Sequence, residues 1–131
     1  MILQPTHNFH LVMFVDADFA GMWRHENSKL RNFALSHSRY IITCCGCPIN
    51  WVSKLQPEVA VSTTESECIA LSMGSRELIH LRCLVIELHK HSLFSAPLEK
   101  PFFMTRTSTL ETSNIYEDNA SCVILAHNEG T

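Results

Sequence analysis

The chain changes its hydrophobic period several times, and each change predicts an element. Phe9 to Val15 (FHLVMFV) is almost continuously apolar, with β-branched and aromatic residues, the pattern of a central strand buried on both faces. That run ends at Asp16. From Asp16 to Ser38 the sequence is polar and irregular, broken by Gly21, Asn27, Ser28 and Asn32, and reads as a long loop of the kind that often carries function. Arg39 to Cys45 (RYIITCC) and Ile49 to Lys54 (INWVSK) then read as two short strands around Gly46, Cys47 and Pro48, an antiparallel hairpin.

At Ser62 the period becomes helical. Ser62 and Glu65 have the spacing of a capping box, and Thr64 with Glu67 offers a second register. Leu71, Gly74, Leu78, Leu81 and Val85 follow Glu67 at three- and four-residue steps, forming one apolar stripe that runs toward His89, with Glu67 at its head. The cluster His89, Lys90 and His91 suits the negative end of the helix dipole. Ser92 to Thr112 has no period and reads as a connection. Ser113 to Glu117 (SNIYE) is a short strand, and Asn119 to His127 (NASCVILAH) a helix with Asn119 as its N-cap. A strand, a helix and a second strand in one sheet make a right-handed crossover, so the last strand is expected to lie parallel to the first. The expected fold is α/β: a mixed sheet with an antiparallel hairpin beside a parallel strand pair, and helices packed on it.

Composition narrows the class without changing this picture. With 131 residues, 46% hydrophobic and 18% charged, residues 1–131 are expected to form one ordinary globular domain. The longest apolar runs fall well short of the roughly 20 residues that span a bilayer, and no basic flank leads into an apolar signal segment, so a cytoplasmic or nuclear location is expected. Of the six cysteines, Cys44, Cys45 and Cys47 form the one sequence cluster. The cysteines are expected to be reduced thiols, metal ligands or plain core residues rather than disulfides, with zinc the minor reading because a structural site wants two ligand pairs and Cys68, Cys83 and Cys122 stand singly. A net charge of −3 argues against a protein that holds nucleic acid by phosphate neutralisation alone, while leaving room for a nuclease whose metal ions bring the positive charge.

Three acids carry the candidate chemistry. Asp16 ends the first strand and Asp118 the last. If those strands are parallel neighbours, both carboxylates emerge at the edge where open α/β sheets bind ligands. Glu67 lies in the first turn of the intervening helix on its core-facing stripe, where an unpaired carboxylate is costly to bury. A divalent cation held by Asp16, Glu67 and Asp118 removes that cost, and Mg²⁺ typically takes a few carboxylates, several waters and phosphate oxygens. Each acid also has a plainer role. An Asp at a strand end forms turns or caps helices, and a Glu in a first helical turn complements the dipole. Asp18 and Glu65, two residues away from the chosen acids, are the alternative ligands.

Four strings in series, FVDADFAG (Phe14 to Gly21), CPINWVSKLQ (Cys47 to Gln56), VSTTESECIALS (Val61 to Ser72) and YEDNASCVILAHN (Tyr116 to Asn128), resemble the successive motifs of the ribonuclease H domain of copia-type retrotransposon polyproteins. The resemblance runs from about Leu3 to Asn128. It implies an RNase H-like fold, endonucleolytic hydrolysis of the RNA strand of RNA–DNA hybrids, Mg²⁺ or Mn²⁺ as cofactor, and a reverse transcriptase domain of the same polyprotein as partner. It also implies that Asp16, Glu67 and Asp118 are the metal ligands. Cys68 stands where the family usually has a tyrosine, and Arg39 with Tyr40 near a usual Gly-Tyr pair. The family continues into a further strand and helix with another catalytic acid, so the resemblance implies a C-terminally truncated domain, with a bare sheet edge beside Ser113 to Glu117 and weak or absent activity alone. Glu129, the one later acid, has no spacing that recommends it as a substitute. The alternative function is a catalytically inactive remnant or domesticated module that binds nucleic acid or protein.

Three smaller readings complete the expectations. Trp23, Arg24, His25, Lys29, Arg31, His37 and Arg39 interleave aromatic and basic character over the long loop, which suits either a hybrid's backbone or a merely solvated loop. Trp51 in the third strand is expected in the core. Met13, Met73 and Cys83 are expected packing residues.

Overall fold

A computed structural model describes residues 10–23, 29, 34–90 and 113–128, and these form a four-stranded sheet with two helices. The elements are β1 (Leu11–Asp18), β2 (His37–Cys44), β3 (Cys47–Leu55), α1 (Thr63–Lys90), β4 (Asn114–Tyr116) and α2 (Ala120–His127). The strand order is β3-β2-β1-β4. β1 pairs antiparallel with β2 and parallel with β4, and β2 pairs antiparallel with β3. The expected mixed sheet, hairpin and parallel pair are therefore all present.

The hairpin turns on two residues. Cys45 and Gly46 both have positive φ (53° and 77°), the backbone of the mirror-image turn whose twist matches that of the flanking strands. β3 begins earlier than the sequence pattern suggests and includes Pro48. Two features permit this. β3 is an edge strand, and the register shifts between Ile42 and Thr43, with Ile42 opposite Asn50 and Thr43 opposite Pro48. Ile49 is thus the extra residue of a bulge, where a proline's missing N–H costs little.

α1 starts as its capping box predicts. Ser62 Oγ accepts from the Glu65 backbone N–H at 3.1 Å, and Glu65 Oε2 accepts from the Val61 N–H at 2.6 Å. The Thr64 and Glu67 register is not used, because Glu67 turns inward and is only 7% exposed. Replacing Ser62 with Ala is expected to cost about 1 kcal/mol, read by urea denaturation, with Ser62→Asp largely retaining stability. α2 begins at Asn119, whose Oδ1 accepts from the Cys122 N–H at 2.9 Å.

The core lies between α1 and one face of the sheet. Leu11, Met13 and Val15 from β1, Tyr40 and Ile42 from β2, and Ala70, Leu78 and Val85 from α1 are buried together. Gly74 brings the helix close: a Cβ there would lie 2.7 Å from Met13 Sδ. Among the described residues nothing covers the other sheet face, in contrast to the expectation that the first strand is buried on both sides. Phe14 is 47% exposed, and its ring stacks on Tyr116 of β4 with centroids 5.1 Å apart. By strand register, Trp51, Ile41, Phe14 and Tyr116 form one row across that face. Trp51, expected in the core, is 68% exposed there, and Cys83, expected to pack, is exposed on α1.

Other boundaries shift. β1 continues to Asp18, so Asp16 is inside the strand rather than just beyond it, and β2 starts at His37. His37 and Arg39 therefore belong to a strand and not to the long loop. Trp23 and Lys29 are exposed, whereas Arg24, His25 and Arg31 lie outside the described residues. So do Phe9, His91, the connection from Ser92 to Thr112, and Glu129. β4 forms the sheet's other edge among the described strands, where a bare edge was expected. No helix among the described residues is long and apolar enough to cross a membrane.

Candidate metal centre

The parallel pairing of β1 with β4 decides where the acids go. Val12, Met13 and Phe14 face Asn114, Ile115 and Tyr116, so the chain leaves β4 beside the final residues of β1. Asp118 follows β4 directly, ahead of the α2 cap. α1 begins over the same end of the sheet and brings in Glu67. Carboxylate oxygens of Asp16, Glu67 and Asp118 all lie within 4.8 Å of one another. Among the described residues this is the one group of three metal-type ligands brought together. The three acids singled out in the sequence thus converge, although they come from a strand, a helix and a loop.

The cluster is electrostatically unbalanced. Glu67 is buried, its Oε2 has no hydrogen-bond partner, and its carboxyl pKa is pushed up to about 7. Burial is the main cause, followed by the negative charges of Glu117 and Asp16; the Ala17 backbone N–H, which donates to this carboxylate, acts the other way. Asp16 and Asp118 are exposed. The buried acid therefore depends on something that supplies positive charge or a proton.

The alternative ligands are engaged elsewhere. Asp18 Oδ2 accepts from Arg39 Nη2 at 3.1 Å, and Glu65 serves the α1 cap. Arg39 stands directly across from Asp16 in the β1–β2 register and also lies 3.6 Å from its Oδ2. At an exposed site such pairs are weak and yield readily to a stronger cation. Cys44, Cys45 and Cys47 lie along the hairpin, with the Cys44 and Cys45 sulfurs 3.8 Å apart, and all three are free thiols.

Two residues of the site escaped the sequence reading. Glu117 is a fourth acid beside the cluster: its Oε1 accepts from the Asn119 N–H at 3.1 Å and its Oε2 is buried without a partner. Burial is the first cause holding its pKa above the ordinary carboxylate range, with Asp118 and Asp16 adding to it. The consecutive acids of the YED string were the available signal. Gln56 was the other omission. It is 2% exposed, and its Nε2 donates at 2.8 Å both to Ser38 Oγ and to the Ser66 carbonyl, so it ties β2 to the first turn of α1, next to Glu67. Only the folded register brings these partners together.

Comparison with known proteins gives a directed likeness. Over 78 residues, 60% of this chain, the sequence is 41% identical to part of the Retrovirus-related Pol polyprotein from transposon TNT 1-94 of Nicotiana tabacum. The chain spans about 5% of that protein's length. No family model matches the chain, and no solved structure does. Over these residues, the chain is similar to a segment of a retrotransposon Pol polyprotein.

Proposed function

We propose that this chain is a ribonuclease H-type, metal-dependent nuclease that hydrolyses the RNA strand of RNA–DNA hybrids, with Asp16, Glu67 and Asp118 holding Mg²⁺ or Mn²⁺. The observation that carries this reading is the convergence of three carboxylates around a buried, unpartnered Glu67 oxygen. Three hard oxygen donors fit Mg²⁺ or Mn²⁺ and not a softer ion. The sequence likeness to a retrotransposon Pol polyprotein and the four motifs in series support the substrate class, and the other domains of such a polyprotein, a reverse transcriptase among them, are the proposed partners.

The chain's own residues divide the work. Glu67 provides negative charge in a desolvated position, where attraction to a cation is stronger than in water. Asp16 and Asp118 flank it from the solvent side. The Ala17 N–H holds the Glu67 carboxylate, and Gln56 fixes the helical turn that presents it. When bound, divalent ions in such a site supply an activated water and stabilise the leaving oxygen of an in-line phosphodiester displacement. With a net charge of −3, the chain is expected to rely on a partner domain for much of its grip on the hybrid.

The test is cleavage of a labelled RNA–DNA hybrid with Mg²⁺ or Mn²⁺, beside single-stranded RNA of the same sequence. Any cutting by the chain alone is expected to be weak and specific to the hybrid, and to be lost in Asp16→Asn and Asp118→Asn. A folded protein that binds Mn²⁺ but cuts nothing would move the reading to a non-catalytic remnant. Arg39 supplies a finer check. Arg39→Gln frees Asp16 from a competing cation and is expected to tighten Mn²⁺ binding by up to about fivefold in calorimetry.

A further inference from the structure

Cys68 and Cys122 stand singly in the sequence, 54 positions apart, yet the fold brings their sulfurs to 3.4 Å. Cys68 follows Glu67 in the second turn of α1, and Cys122 lies in the first turn of α2, just past Asp118 and its capping neighbour Asn119. Cys122 is fully buried, and Cys68 is partly accessible. α1 and α2 pack against each other at this point. We propose that Cys68 and Cys122 form a reversible intramolecular disulfide that staples the two helices beside the acidic cluster.

The separation favours this pair over Cys44 and Cys45. A disulfide needs the sulfurs at about 2 Å with ordinary Cβ geometry, a short approach for side chains already in contact. Cys44 and Cys45 are further apart at 3.8 Å and adjacent in sequence, where bridging would distort the hairpin turn. Cys83 is exposed on α1. The oxidant is a small-molecule disulfide such as oxidised glutathione. The Cys68 sulfur attacks one sulfur of that disulfide, breaking its S–S bond and releasing one small thiol, which takes up the Cys68 proton. The Cys122 sulfur then attacks Cys68 in the mixed disulfide and expels the second small thiol, which takes up the Cys122 proton. Two protein thiols are oxidised and one small disulfide is reduced to two thiols, so atoms and electrons balance. Accessibility sets the order: the oxidant reaches Cys68 first, and Cys122 resolves the adduct from within.

The staple joins the helical turn after Glu67 to the first turn of α2, so it fixes the spacing between the helix that carries Glu67 and the helix that follows Asp118. The experiment treats the full chain with oxidised glutathione, blocks remaining thiols with N-ethylmaleimide and maps peptides without reduction. A linked Cys68–Cys122 peptide pair is expected, forming about tenfold or more faster in the native chain than in urea, because folding holds the thiols at high effective concentration. In Cys122→Ser, glutathione is expected to remain on Cys68, while Cys83→Ser leaves the link intact. Stable glutathione on Cys68 of the unaltered chain, with Cys122 still free, would overturn the proposal. So would linkage no faster in the native chain than in urea. Neither cation nor hybrid enters this readout, so its failure is separable from failure of the nuclease reading.

Discussion

Glu67→Gln is expected to make the cation-free protein more stable at pH 8, by up to about 3 kcal/mol, while removing its response to Mn²⁺. The folded protein holds the Glu67 pKa at about 7, above the ordinary 4.5, so between those values the folded state binds more protons than the unfolded one. Stability from this group is therefore fully present below about pH 4.5 and is lost as pH rises through about 7. The size is bounded by the rise from 4.5 to about 7 at about 1.4 kcal/mol per pKa unit, and solvent screening at this edge of the sheet keeps it below that bound. Glutamine keeps the oxygen that accepts from the Ala17 N–H and carries no charge to desolvate. Urea titrations of both proteins at pH 4.5, 6 and 8 in chelator read the effect: the curves should coincide at the lowest pH and separate as pH rises. Saturating Mn²⁺ should then restore the unaltered protein and leave the variant unmoved, since a ligand stabilises only the state that binds it. A variant no more stable than its parent at pH 8 would mean that the buried carboxylate is already balanced from within the fold.

That experiment bears on how a functional site is written into a sequence. The head of α1 was legible because local rules carry it: Ser62 and Glu65 make their own cap, and the stripe from Leu71 to Val85 names the buried face. Asn119 was legible for the same reason. The parallel strand pair followed from chain connectivity and chirality, and with it the meeting of Asp16 and Asp118. What failed depended on information that alternation does not hold. In Leu11 to Val15 every residue is apolar, so the run cannot show that Phe14 faces outward, and Trp51 was assigned to the core by its hydrophobicity although its register places it in the same outward row. Pro48 looked like a strand breaker because edge position and bulge are tertiary facts. Glu117, Gln56 and the Cys68–Cys122 contact all rest on partners far apart in sequence, which no period or spacing can bring together.

Gln56 carries the second large effect. Its amide lies in the core, with one nitrogen donating to a β2 hydroxyl and to a helical carbonyl, while its backbone N–H donates to Ser36 O at 2.8 Å. Ser36 Oγ in turn accepts from the Ala20 N–H at 3.2 Å, just beyond β1. Gln56 thus links the end of β3 to the strand start and the helix head that frame Glu67. Gln56→Ala is expected to destabilise the fold by about 2 kcal/mol: it opens a cavity and leaves Ser38 Oγ without its donor, while the Ser66 carbonyl keeps its helical bond and the buried, unpartnered Gln56 Oε1 is removed. Ser38→Ala alone should cost about 1 kcal/mol, since Gln56 keeps its second acceptor. The double variant should then cost less than the sum, because one shared hydrogen bond is lost only once. If the network also sets the position of Glu67, Gln56→Ala should weaken Mn²⁺ binding under conditions where the variant is fully folded, whereas Ser62→Ala, which loosens the cap without touching the Ser66 carbonyl, should leave it nearly unchanged. Equal loss of cation affinity in both variants would place the control of Glu67 in helix stability as a whole. Loss in Gln56→Ala alone would place it in the contact between one amide nitrogen and one carbonyl.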